Sequence, residues 1–169
     1  MSDRPASAGR GFRTRLALVI ALLSGPAFAE EFDYLVMPLE RDLHVTSPWG
    51  LRDAPKRGAS TDHRGVDIRA QEGEAVYAAY PGVITVTEMR DGHCGMTVVE
   101  RTRQGYLIQY CHLSVIDARL GEQVTYSSVI GRVGHTGNVT GPHLHLQLYK
   151  DGRWIDPMRF MVPRSRLPG

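Results

Sequence analysis

Between residues 73 and 152 the chain is cut by turn signals at short spacing, and no amphipathic helix of 12 or more residues is evident among them. Gly73-Glu74, Pro81-Gly82, Asp91-Gly92, Gln104-Gly105, Gly131, Gly134, Gly137, Gly141-Pro142 and Asp151-Gly152 supply the punctuation. The intervals read as strands at 75–79, 82–87, 97–101, 106–112, 128–133 and 143–149. Most are rich in Val, Ile, Thr and Tyr, and several alternate polar with apolar residues. Residues 114–121 have room for one turn of helix. The expected fold is all-β and mostly antiparallel, a single-domain sandwich or half-barrel. The 18 Gly and 10 Pro in 169 residues agree with so turn-rich a chain.

The first 29 residues are of another kind. Arg4, Arg10, Arg13 and Arg15 precede an apolar run at 16–23, and Ala27-Phe28-Ala29 offers a small-x-small cleavage pattern before Glu30. This is the layout of a secretory signal peptide, and the apolar run is too short to span a bilayer. Cleavage after Ala29 is expected. The four Arg and one Asp of the leader carry a net +3, so removing them takes the chain from +2 to −1. With that charge and only 8% aromatic residues, binding to a nucleic acid is not expected. The expected organisation is a leader at 1–29, a lead-in at 30–45, a folded domain at 46–160 and a loose tail at 161–169. The processed protein should be soluble and monomeric, with no membrane attachment.

Two local patterns point to chemistry. In a strand, His143 and His145 project from one face while Leu144, Leu146 and Leu148 project from the other and make a core face. Paired imidazoles suit metal binding or proton transfer, and they equally fit two half-exposed histidines on an edge strand. His63 and Asp67, four apart, share a face in either helix or strand, and Gly65 argues for the strand. Two His and one carboxylate make the donor set of a catalytic zinc site, although His63 and Asp67 alone also fit a surface ion pair. In the run 106–112 strict alternation puts Ile108, Tyr110 and His112 on one face and Cys111 on the other. That is poor geometry for a Cys–His nucleophile pair. No G-x-S-x-G turn supports a serine hydrolase.

Together these pieces resemble the lysostaphin-type zinc metallopeptidases. The resemblance rests on His63-Arg64-Gly65-Val66-Asp67, then Tyr110-Cys111-His112-Leu113-Ser114, then Thr140-Gly141-Pro142-His143-Leu144-His145, in that order. Lesser matches are Thr46-Ser47-Pro48-Trp49-Gly50-Leu51-Arg52 upstream, the glycine-rich 131–141 stretch and Asp156-Pro157 downstream. The resemblance implies one Zn²⁺ per chain held by His63, Asp67 and His145, in a groove on the sheet face. It also implies that His112 and His143 assist at water and substrate carbonyl, and that the substrate is a peptide bond in peptidoglycan stems or cross-bridges. No H-E-x-x-H glutamate base is present, so His112 and His143 must handle the proton, in either order. A lone catalytic domain behind a leader suits a periplasmic enzyme, or an extracellular one. The alternatives are a non-catalytic wall-binding or amidase-activating module on the same fold, and a sugar-phosphotransfer carrier. The five site residues count against the first, the leader and Asp67 against the second.

The remaining histidines and cysteines have plainer roles. His135 and His93 read as surface loop residues, His44 has no evident partner, and Arg52 braces a loop. Pairing 97–101 with 106–112 brings Cys94 close to opposite Cys111, so a disulfide is expected in an oxidising compartment.

Overall fold

The computed structural model describes residues 34–53, 60–90 and 93–167. The leader at 1–29 lies outside the described residues. Among the described residues fourteen strands follow one another: β1 Leu35–Val36, β2 Val45–Ser47, β3 Gly50–Leu51, β4 Asp62–His63, β5 Val66–Arg69, β6 Ala75–Tyr77 and β7 Gly82–Arg90. Then come β8 Gly95–Thr102, β9 Leu107–Ile116, β10 Gln123–Val124, β11 Val129–Val133, β12 His143–Lys150, β13 Arg153–Ile155 and β14 Met161–Val162. Two single 3₁₀ turns, Pro157–Arg159 and Arg164–Arg166, are the helical elements among the described residues.

The all-β expectation holds. Ten strands form one antiparallel sheet whose main path runs β10-β7-β8-β9-β12-β5-β2, with β11 paired to β6 and β9 and β13 paired to β12. The long hairpins come from local pattern. At β8–β9 the turn closes through the Thr102 N–H on the Tyr106 carbonyl, at 2.9 Å, with Gly105 at φ 84°. One face of the sheet carries the core. Leu144, Leu146 and Leu148 of β12 are fully buried there with Val66, Ile68, Ile108 and Tyr110. Alternation then sends the odd-numbered residues of β12 to the opposite face.

Two expectations need correcting. Residues 114–121 form no helix: β9 runs on to Ile116 because β11 pairs with it, Gly131 to Ile116 and Arg132 to Val115. The tail is also not loose throughout, and the lead-in packs with it. Leu35, Val36, Met37 and Leu39 are fully buried, and β1 pairs in parallel with β14. Arg164 fixes this clasp through the carbonyls of Met37 (3.1 Å) and Tyr126 (2.7 Å) and packs over the Tyr77 ring. The compact unit therefore begins about ten residues before position 46 and extends past 160, because the apolar run after Tyr34 has its partner at the far end of the chain. A cavity of about 580 Å³ sits at this clasp, lined by Met37, Leu43, Met161 and Arg164 among others. None of the seven histidines lines it.

Candidate metal centre and active site

Three neighbouring strands set the site by register. His145 of β12 lies opposite Asp67 of β5 on one side and opposite Cys111 of β9 on the other. Directly opposed residues in an antiparallel ladder point the same way, so Asp67 and His145 meet on the face away from the leucines. His63 arrives from β4, which pairs with β3 through Gly50. The segment between His63 and Asp67 crosses close over β12. A Cβ at Gly65 would fall 2.6 Å from the Leu146 carbonyl oxygen and 2.7 Å from His145 Cε1, so only glycine allows this approach.

The donor atoms converge on one point. His145 Nδ1 is 2.6 Å from Asp67 Oδ1, His63 Nε2 is 3.2 Å from the same oxygen, and the two nitrogens are 3.2 Å apart. His63 Nδ1–H donates to the Pro48 carbonyl at 2.7 Å, which fixes the tautomer and leaves the Nε2 lone pair facing Asp67. Two imidazole nitrogens and one carboxylate oxygen, largely buried, suit a divalent cation of zinc type. His63, Asp67 and His145 could therefore hold a metal ion. Burial favours the neutral form of Asp67, but its contacts with the surrounding histidines, His143 and His145 foremost, outweigh it and keep the carboxyl well below the usual range. Burial pushes His145 down, toward the neutral imidazole that a ligand must be.

His112 and His143 flank this cluster. Their ring centroids are 4.8 Å apart, and the His112 centroid is 5.6 Å from that of His145. His112 Nδ1–H donates to the Thr136 carbonyl and His143 Nδ1–H to the Gly141 carbonyl, each at 2.9 Å, which leaves both Nε2 atoms for chemistry. His143 Nε2 is 3.5 Å from Asp67 Oδ1. Burial lowers His112 to about 4. Burial also lowers His143, but its hydrogen bond to Asp67 reverses the direction and raises it.

The route that brings His112 here differs from the alternation expected for 106–112. Tyr110 points into the core, where its hydroxyl donates to Glu100 Oε2 and accepts from the Ala79 N–H, each at 2.7 Å. Strict alternation would send His112 to the same side. Instead the β8–β9 register shifts, with Cys111 and His112 inserted between Tyr110 and Leu113 where Thr97 alone stands opposite. His112 sits at φ 66° in this bulge, so its ring turns to the same face as Cys111 and His145. Cys94 and Cys111 are disulfide-bonded with Cα atoms 4.9 Å apart, which removes the thiol as a nucleophile for a simpler reason than facing.

The other singled-out residues lie at the margins. Arg52 braces the loop below His63, donating to the Ser60 carbonyl (2.8 Å) and to Ser47 Oγ (2.7 Å). His135 is exposed and pairs with Glu72 at 3.2 Å. His93 and His44 are exposed. The partners that orient the site histidines, Pro48, Thr136 and Gly141, act through backbone carbonyls and have no side-chain signature to read. Thr136 shows only as one of two polar residues, with His135, between Gly134 and Gly137.

The profile of peptidase family M23 matches residues 61–157, more than half of the chain and all five histidine and aspartate positions of this cluster. The chain belongs to the M23 family. Among its relatives, peptidoglycan DD-endopeptidase ShyA of Vibrio cholerae is 36% identical over 131 residues, 76% of this chain and 30% of ShyA. The chain spans about a quarter to a third of the length of the curated relatives it matches. Of solved structures, the catalytic domain of lysostaphin from Staphylococcus simulans superposes with a TM-score of 0.64 at 28% identity, covering 70% of this chain and 91% of that one. A zinc-containing peptidase from Vibrio cholerae gives 0.64 at 30% identity, covering 72% and 38%. Nearly the whole of the compact lysostaphin domain therefore has a counterpart in this M23 chain.

Proposed function

We propose that this M23 chain is a zinc-dependent endopeptidase that hydrolyses peptide cross-links of bacterial peptidoglycan. The observation that carries the reading is the convergence of His63, His143 and His145 on a single carboxylate oxygen of Asp67, with His112 beside them. Relatives named as peptidoglycan DD-endopeptidases support the substrate class. The leader-like 1–29 segment supports export, with the periplasm as the expected site of action. The protein acts as a monomer in this reading.

His63 Nε2, Asp67 Oδ1 and His145 Nδ1 would hold the ion. Zinc in such a site lowers the pKa of water and polarises a carbonyl. The chain's own residues then divide the proton work. His112, kept neutral by burial, presents a free Nε2 lone pair and accepts the proton of the attacking water. His143, its Nδ1–H held by the Gly141 carbonyl, donates from its protonated Nε2 to the carbonyl oxygen as negative charge develops there. Thr136 and Gly141 hold the two rings by their Nδ1–H groups, so neither must reorient during turnover.

The test is digestion of isolated peptidoglycan by the purified protein with zinc, followed by mass spectrometry of the products. Loss of cross-linked dimers, with monomer masses that name the bond, is the expected result. Intact dimers after prolonged digestion of peptidoglycans with both direct and glycine-bridged cross-links would overturn it.

A further inference from the structure

We propose that the Cys94–Cys111 disulfide is a positioning element for His112, and that its reduction slows turnover without releasing the metal. This rests on the catalytic reading of His112 given above. A non-glycine residue in the left-handed region is disfavoured and persists only where its surroundings hold it. His112 at φ 66° is such a residue, in the middle of a strand. Three contacts hold it there. Its N–H donates to the carbonyl of Cys94 at 2.8 Å. Its Nδ1–H donates to the Thr136 carbonyl, while Thr136 Oγ1 donates to the Leu113 carbonyl and accepts the Met96 N–H. The third is the disulfide, which joins the residue preceding His112 to the residue whose carbonyl holds it.

Disulfide and hydrogen bond thus close one small ring around the bulge. Without the covalent side of that ring, hydrogen bonds and the packing of residues 93–95 against Thr136 and Gly137 are what keep Cys94 beside His112. Relaxation of the bulge toward regular alternation would swing the ring off the site face. Asp67 and His63 are set by β5 and β4, and His145, although it lies opposite Cys111, keeps its pairing with Asp67 of β5 when the bulge relaxes. Cys94 is partly exposed, which gives a reductant an approach, whereas Cys111 is buried.

In reduction by a water-soluble phosphine, phosphorus attacks one sulfur and the S–S bond breaks. Water supplies the oxygen of the phosphine oxide and the two protons of the two thiols, and the disulfide takes up the two electrons. The experiment compares the zinc-loaded protein before reduction, after reduction and after reoxidation. Three quantities are read: zinc content, kcat and KM on a soluble cross-linked muropeptide, and the ring N–H signals of His112 and His63 by ¹⁵N NMR.

The expected result is a kcat lower by about 10- to 100-fold, with KM and zinc content unchanged and recovery on reoxidation. The His112 Nδ1–H signal is lost while that of His63, bonded to Pro48, persists. An unchanged kcat with both ring signals intact after complete reduction would overturn the proposal. So would loss of zinc or of both signals, because the disulfide would then be a general staple. The Cys94→Ala/Cys111→Ala double variant should reproduce the reduced state. If the oxidised protein cleaves nothing, the endopeptidase reading fails while the NMR comparison still decides whether the disulfide positions His112.

Discussion

His112→Ala should lower peptidoglycan cleavage by about 100-fold or more while one equivalent of zinc stays bound, whereas His145→Ala and Asp67→Ala should lose metal and activity together. The difference follows from geometry. His145 Nδ1 and Asp67 Oδ1 lie 2.6 Å apart at the centre of the donor cluster, and removing either leaves two donors for a cation that takes three from the protein. His112 touches that cluster only through ring contacts, and its own hydrogen bond goes outward to Thr136. Its loss removes a proton acceptor, for which a factor of about 10²–10⁴ is usual. Metal analysis by mass spectrometry beside a cleavage assay separates the two classes. Zinc lost from His112→Ala, or retained by both His145→Ala and Asp67→Ala, would contradict the assignment. His143→Ala belongs with His112→Ala, with metal kept and turnover reduced.

Stability should fall as pH rises from about 4.5 to about 8, and Glu100→Gln should remove most of that fall. Glu100 is fully buried on β8, with its Oε2 accepting from Tyr110 and its Oε1 without a partner among the described residues. Burial raises its carboxyl from 4.5 to about 8, and the Tyr110 hydrogen bond offsets only part of this. The unfolded chain releases this proton near 4.5, but the folded chain holds it until about 8. Between those values the folded state binds more protons, so raising the pH favours unfolding. At about 1.4 kcal/mol per pH unit across that interval, the loss is on the order of 5 kcal/mol. The amide introduced by Glu100→Gln has no proton to release and no charge to bury. Thermal unfolding at pH 5 and at pH 8.5 tests this, with Glu100→Gln gaining about 10–20 °C over the parent at the higher pH relative to the lower. Parallel pH profiles for the two proteins would show that Glu100 is not the group responsible.

The site was legible where a regular period carries it. On β12 the alternation of two histidines with three leucines puts the histidines on the site face, and the leucines are fully buried on the other. His63 and Asp67 do meet as the four-residue step suggests, but across the break between β4 and β5 and not along one strand. Periodicity failed where the backbone leaves it. Nothing in Tyr110-Cys111-His112-Leu113 marks a bulge, since the residue in the left-handed region is a histidine and not a glycine. Its position depends on Cys94 and Thr136, which are distant in the chain. The clasp of β1 with β14 was hidden by distance as well. Leu35, Val36, Met37 and Leu39 form an evident apolar run, but a two-residue parallel pairing with Met161 and Val162 has no local signal. At 114–121 a local helix reading lost to strand pairing with β11, an example of tertiary context overriding local preference.

Titration of the metal-stripped protein with zinc, followed by the rate of peptidoglycan cleavage, tests most directly whether His63, Asp67 and His145 form a catalytic metal centre. The rate should be near zero in chelator, rise in proportion to added zinc and break sharply at one equivalent per chain. Cleavage that persists in the stripped protein, or a rate indifferent to added zinc, would contradict the central claim.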